Sequence, residues 1–197
     1  MELVRADACH LPFQSMTFDR VTMLDIIEHL VPVQLESMIR EVHRVLKPGG
    51  YAILHTLPNR WVYDITFPLL HCLYPKFKAD PRGPIDKEIH VNEQDLPSLH
   101  HLLERCGLRH HLWLEQHMAA QARWNMAADK YGDQRDQLYP ILAGRMGNLL
   151  EWLSATPARL LLANDIFGIA WKSEAPPPVR FPLALTERLF CRLSPSR

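Results

Sequence analysis

Asp25, Glu28 and His29 stand at i, i+3 and i+4, so a helical turn through them would aim two carboxylates and an imidazole in one direction. Such a set can hold a divalent ion. It can also serve as polar caps where a loop enters a helix beside a cleft; this plainer reading is preferred, and no metal ligand is assigned. His29 and His55 are the candidate catalytic residues, because an imidazole takes a proton from a hydroxyl or amine near neutral pH. Asp7 carries a carboxylate that only accepts hydrogen bonds, which suits an amino donor or the cap of a turn. His100, His101, Cys106, His110 and His111 match no zinc-ligand spacing, since adjacent histidines on a helix point different ways. Trp61, Tyr63, Phe67, Tyr74 and Phe77 either line a ligand pocket or pack an irregular segment.

The elements that must position these residues follow from periodicity. Phe18 to Leu24 is rich in branched and apolar residues and reads as a buried strand ended by Asp25. Leu35, Met38, Ile39, Val42, Val45 and Leu46 recur at helical spacing, with Pro32 suited to the first turn. The Lys47 to Gly50 stretch is expected to stop this helix, with Lys47 at the negative end of the dipole and glycine in a left-handed cap. Tyr51 to Thr56 reads as the next strand, which makes a βαβ unit and favours a parallel pair with a right-handed crossover.

Beyond Asn59 the pattern breaks. Prolines at 68, 75, 81 and 84 predict an irregular lid or insertion up to Ile89. Leu96, Leu99, Leu102 and Leu103 restore helical spacing within Asn92 to Cys106, closing at Gly107, and Leu108 to Met118 can follow as a strand. Residues 119–163 look mostly helical, with breaks near Gly132 and Pro140; Asn164 to Lys172 supplies a last strand. A proline-rich linker then leads to a short amphipathic helix over Phe181 to Leu193.

Composition narrows the partners. Twenty-two basic and 22 acidic residues cancel, which removes any global electrostatic case for nucleic acid. Four scattered cysteines make neither a disulfide framework nor a zinc ribbon, so a reducing, cytoplasmic setting is expected. No apolar run reaches the roughly 18 residues that suggest a membrane span.

The residues Asp7-Ala8, Leu11-Pro12-Phe13, Phe18-Asp19, Leu24-Asp25, Glu28-His29, Arg44 to Gly50 and Leu57-Pro58-Asn59 resemble, in order and spacing, the class I S-adenosylmethionine-dependent methyltransferases. The likeness is strongest to the branch that includes the ubiquinone and menaquinone pathway enzymes, and His90 to Leu108 resembles the family's helix before its sixth strand. The resemblance implies an α/β, Rossmann-like class I methyltransferase fold with strand order 3-2-1-4-5-7-6 and the cofactor across the carboxyl ends of strands 1 to 4. Mapped onto it, this chain opens at strand 3. The fold is then N-terminally incomplete (strands 3 to 7), with a helical insertion (119–163) before the last strand, a partial domain over 1–173 and a linker and tail helix over 174–197.

The same resemblance implies S-adenosylmethionine as cofactor. It makes Asp7, Ala8, Leu24, Asp25 and Ile26 the cofactor-binding residues, with Asp7 on the adenine amino group and Leu24 to Ile26 beside the sulfonium. The glycine-rich loop that the family uses for the methionine portion has no counterpart: the first glycine in the sequence is Gly49. Two functions are therefore expected. One is methyl transfer to a small-molecule or lipid-like acceptor as part of a longer enzyme; the other is a truncated, cofactor-incompetent interaction module. Neither nucleic acid nor an integral membrane position is expected; at the sheet edge left bare, either strand 3 shifts to pair directly with strand 4, or the segment before Phe18 is poorly ordered, or an identical chain covers the edge.

Overall fold

The computed structural model describes residues 3–117 and 141–193. Four strands form one mixed sheet in the order β1-β2-β4-β3. β1 (Phe18–Leu24) and β2 (Leu46–Thr56) are parallel; β4 (Ala163–Trp171) runs antiparallel to both β2 and β3 (Arg109–His117). This is the order 4-5-7-6 of the expected fold, with the expected parallel pair at β1 and β2.

α1 (Pro32–Val45) makes the crossover between β1 and β2. Pro32 opens it, where its missing N–H costs nothing, and the predicted stripe of Leu35, Met38, Ile39, Val42 and Val45 is buried against the sheet. The helix ends differently from expectation. Leu46 is already extended and begins β2, and Gly49 takes its left-handed φ of 80° in an irregularity of the β1–β2 register, three residues beyond the helix cap. Gly50 is required there for another reason: a Cβ would lie 2.8 Å from the Asp19 carbonyl oxygen. Lys47 does not serve the helix dipole either, since its Nζ reaches across to the Asp19 carboxylate at 2.9 Å.

The stretch expected to be an irregular lid is partly helical. A π-turn at Val62–Thr66 runs into α2 (Phe67–Leu73), and α3 (Pro84–Ile89) follows. The prolines misled the sequence reading, because Pro68 and Pro84 sit in first turns, where proline starts helices instead of breaking them. Pro97 does the same in α4 (Leu96–Arg105), whose Asp95 cap accepts the Ser98 N–H at 2.7 Å. Gly107, with φ of 76°, closes α4 as expected.

Two apolar clusters result. The main one joins α1 and α4 to the sheet and includes Met23, Leu54, Leu112 and Ile166. The second gathers Val62, Leu70 and Phe77 with Leu142, with Leu150 of α5 (Arg145–Ser154) and with Leu162 of α6 (Arg159–Leu162). The Tyr63–Phe67 and Tyr74–Phe77 ring pairs pack at this second cluster. The tail helix α7 (Leu185–Leu193) buries Cys191 in the main cluster, and Arg159 Nε lies 3.0 Å from the buried Glu187 carboxylate. The helical breaks expected near Gly132 and Pro140 lie outside the described residues.

One expected strand does not form. The described residues before Phe18 make only an isolated Asp7–His10 bridge and no strand. β1 is consequently an edge of the sheet, paired among the described residues with β2 alone.

Candidate functional site

The carboxyl ends of the parallel strands β1 and β2 and the amino end of β4 meet at one end of the sheet. Asp25, the first residue after β1, adopts a left-handed φ of 52°. Side chains resist this conformation, Asp and Asn less than most. It is tied to β2 by its own N–H, which donates to the His55 carbonyl.

His55 is the centre of the arrangement. Its Nδ1 lies 2.5 Å from Asp25 Oδ1, and its Nε2 lies 3.4 Å from Asp165 Oδ2. The imidazole is half-stacked on Phe167, two residues along β4, with ring centroids 4.3 Å apart, and Trp113 stacks behind Phe167. Asp165 has a side chain only 3% exposed, and burial pushes its carboxyl above the usual range, with His55 pulling the other way. Asn164 Nδ2 donates to the second Asp165 oxygen at 3.2 Å.

Glu28 and His29 fall in a three-residue 3-10 turn, too short to present one helical face with Asp25. Glu28 is buried and accepts the Thr56 hydroxyl at 2.7 Å, whereas Asp25 turns to His55. His29 uses Nδ1 on the Ile89 carbonyl at 2.8 Å and faces Glu28 with Nε2 at 3.8 Å; the His90 ring lies tilted against it, with centroids 5.0 Å apart. The donors that come within 4.8 Å of one another are therefore those of Glu28, His29 and His90, without Asp25.

Asp7 is largely exposed. Its Oδ1 accepts the Cys9 N–H at 2.8 Å and its Oδ2 lies 3.3 Å from His10, and these bonds hold its carboxyl below the usual range. Ala8 and Ile26 are partly buried against the main cluster, and Leu24 is exposed. The loop that follows is clamped from α1: Glu41 accepts the Leu11 N–H, and Arg44 donates to the Leu11 and Phe13 carbonyls.

The structure thus joins Asp25 to His55 and places His29 in a separate group. Asp165, Thr56 and His90 escaped the sequence reading. A usable signal existed for Asp165, since Asn164-Asp165 puts two polar side chains at the start of an apolar strand, where burial demands partners.

Residues 1–54 match the methyltransferase domain family. The chain is 44% identical over 55 residues to an uncharacterised methyltransferase of Synechocystis, covering 27% of this chain and 26% of that protein. It is 30% identical over 124 residues to the demethylmenaquinone methyltransferase of Streptomyces griseus, covering 57% and 52%. The chain thus spans about a quarter to a half of the length of these relatives. A putative methyltransferase of Bacillus halodurans superposes with a TM-score of 0.46 at 19% identity, over 87% of this chain and 78% of that one. Residues 1–54 are thus similar to part of a methyltransferase domain, and most of the motifs from Asp7 to Asn59 lie within that stretch.

Proposed function

We propose that this domain takes part in S-adenosylmethionine-dependent methyl transfer to a small-molecule or lipid-like acceptor, with His55 as the residue that handles the acceptor's proton. The observation that carries this is the placement of the His55 ring between Asp25 and Asp165 at the carboxyl ends of β1 and β2. The naming of several relatives as demethylmenaquinone methyltransferases supports a lipid-like acceptor.

The residues present fit one side of the cofactor. Asp7 and Ala8 would meet the adenine, and Leu24, Asp25 and Ile26 would line the methyl end; the sequence holds no glycine before Gly49 to approach the methionine portion. Bound cofactor would supply a methyl group on a positive sulfur, so that alignment provides most of the acceleration. Asp25 holds the imidazole by accepting from Nδ1–H. Nε2 then takes the proton that the acceptor atom loses as its bond to the methyl carbon forms, and Asp165 stabilises the resulting imidazolium. His29, fixed by the Ile89 carbonyl, would border the acceptor and not share in this transfer.

A cytoplasmic location fits this reading, and no helix among the described residues is long and apolar enough to cross a membrane. We place a second copy of the chain against the open edge of β1. The expected division into a domain over 1–173 and a tail over 174–197 is kept as part of this proposal, with α7 docked onto α4 and β3.

One observation favours the alternative, a methyltransferase-like interaction module without cofactor. Asp7, 65% exposed, is already engaged by Cys9 and His10 within its own turn. Calorimetric titration with S-adenosylhomocysteine separates the two. Sub-millimolar binding weakened by Asp7→Ala supports the enzyme, and no binding supports the module. With a turnover assay in hand, His55→Gln is expected to lower kcat by about 10²- to 10⁴-fold with binding retained. An unchanged kcat would remove His55 from the reaction.

A further inference from the structure

A second group of histidines lies near the other end of the sheet. His110 is on β3 opposite Ala170, which faces Ala52 of β2, three residues before His55 and toward the amino end of that strand. There α4, β3 and α7 border a cleft of about 780 Å³, whose lining includes His100, His101, Glu104, His110 and Arg188.

The hydrogen bonds fix the ring protons. His110 Nδ1 lies 3.3 Å from the Leu108 carbonyl, which can only accept, so this nitrogen carries the proton and Nε2 of the neutral ring is bare. His100 Nδ1 lies 2.7 Å from that bare nitrogen and must donate to it. In the neutral ring His100 Nε2 is then bare, and it faces Glu104 Oε2 at 3.5 Å. A ring nitrogen opposite a carboxylate oxygen makes a favourable contact when a proton or a metal ion stands between them. His101 brings Nδ1 to 4.0 Å from the same oxygen, and its Nε2 is buried with no hydrogen-bond partner.

We infer that His100, His101 and Glu104 bind a zinc-class divalent metal ion, with His110 orienting His100 and a fourth position open to the cleft. Ligand atoms about 2.1 Å from a tetrahedral ion lie roughly 3.4 Å apart. The His100–Glu104 separation of 3.5 Å already meets this, and His101 closes from 4.0 Å by a small rotation. Two imidazoles and one carboxylate are the donor set of a zinc site that retains an exchangeable position. The chain Leu108 carbonyl to His110 to His100 supplies the outer support that metal-bound histidines characteristically have. The sequence reading dismissed these histidines because neighbours on a helix diverge. The rings of His100 and His101 nevertheless stand 4.9 Å apart, and Glu104, four and three residues on, reaches back between them.

The test is titration of the metal-free full chain with zinc chloride by calorimetry, and with cobalt(II) chloride by visible absorption, where tetrahedral coordination gives intense bands. One equivalent is expected to bind with micromolar or tighter affinity. Glu104→Gln and His100→Gln are each expected to weaken it at least tenfold and abolish the cobalt bands, and His110→Gln to weaken it less. Glu104 is exposed, so its variant should retain the wild-type circular dichroism and thermal midpoint. His90→Gln reports the separate Glu28–His29–His90 group. Overturning results are the absence of micromolar binding, or binding that survives Glu104→Gln and His100→Gln but is lost in His90→Gln.

Discussion

Glu41 accepts the N–H of Leu11, 30 residues earlier in the chain, at 2.8 Å, and so fastens the loop after Asp7 to the crossover helix. The Arg44 guanidinium beside it, aided by the Leu11 N–H, holds the Glu41 carboxyl down at about 2. Its ordinary value is 4.5, and a carboxylate depressed on folding stabilises above its unfolded value and loses that contribution as pH falls toward the folded one. Wild-type stability should therefore fall in excess between about pH 4.5 and 2, and Glu41→Gln should flatten this part of the profile. Urea unfolding across that range checks it. Glu41→Ala should cost about 1 kcal/mol at neutral pH, because it leaves the Leu11 amide without its acceptor and removes the carboxylate partner of Arg44.

Asp165 behaves with the opposite sign. Burial raises its carboxyl, so its contribution is fullest below the unfolded value and is lost as pH rises through the raised one. Asp165→Asn keeps the shape and removes the ionisation. Relative to wild type it should gain thermal stability progressively from about pH 4 upward, while methyl transfer falls through loss of the charge facing His55. A wild-type advantage that grows with pH would contradict this account.

Asp95 combines two duties. It caps α4 through Ser98 and forms a close ion pair with Arg60 while almost wholly buried. Asp95→Asn should preserve most of the cap and lose the charge pair; Asp95→Ala should lose both, with the cap alone worth about 0.5 to 2 kcal/mol. The difference between the two variants in chemical denaturation isolates the cap.

Gly168 on β4 lies beneath Leu112 and Leu54 of the flanking strands, and a Cβ there would come within 2.5 and 2.7 Å of their side chains. Gly168→Ala should destabilise by about 1 to 3 kcal/mol through overpacking. Leu112→Ala in the same chain should recover part of that loss, a coupling that a double-mutant cycle measures.

What could be read from sequence followed local periodicity. β1 as a strand and the buried stripe of α1 were legible because each depends on neighbours two to four residues away, but β1 was expected to be buried and only Met23 of it is, since β1 stands at the edge of the sheet. The 59–89 stretch was not, because the same proline ends one helix and starts another, and only the surrounding chain decides which. The site was legible in half. Asp25 and His55 stood out as polar residues at strand ends, but their meeting with Asp165 depends on an antiparallel strand arriving 110 residues after His55, and no spacing rule reports that. The Asp25, Glu28 and His29 spacing suggested one shared face, which a 3-10 turn of three residues cannot provide.

Asp25 holds its carboxylate against His55 from a backbone conformation that disfavours every side chain, at roughly 1 to 2 kcal/mol for an ordinary residue. Folding and chemistry thus pull position 25 in opposite directions. On the role proposed for Asp25, selection for heat resistance alone would drift toward glycine there at the expense of methyl transfer. A library sorted for stability should be counter-screened at this position first.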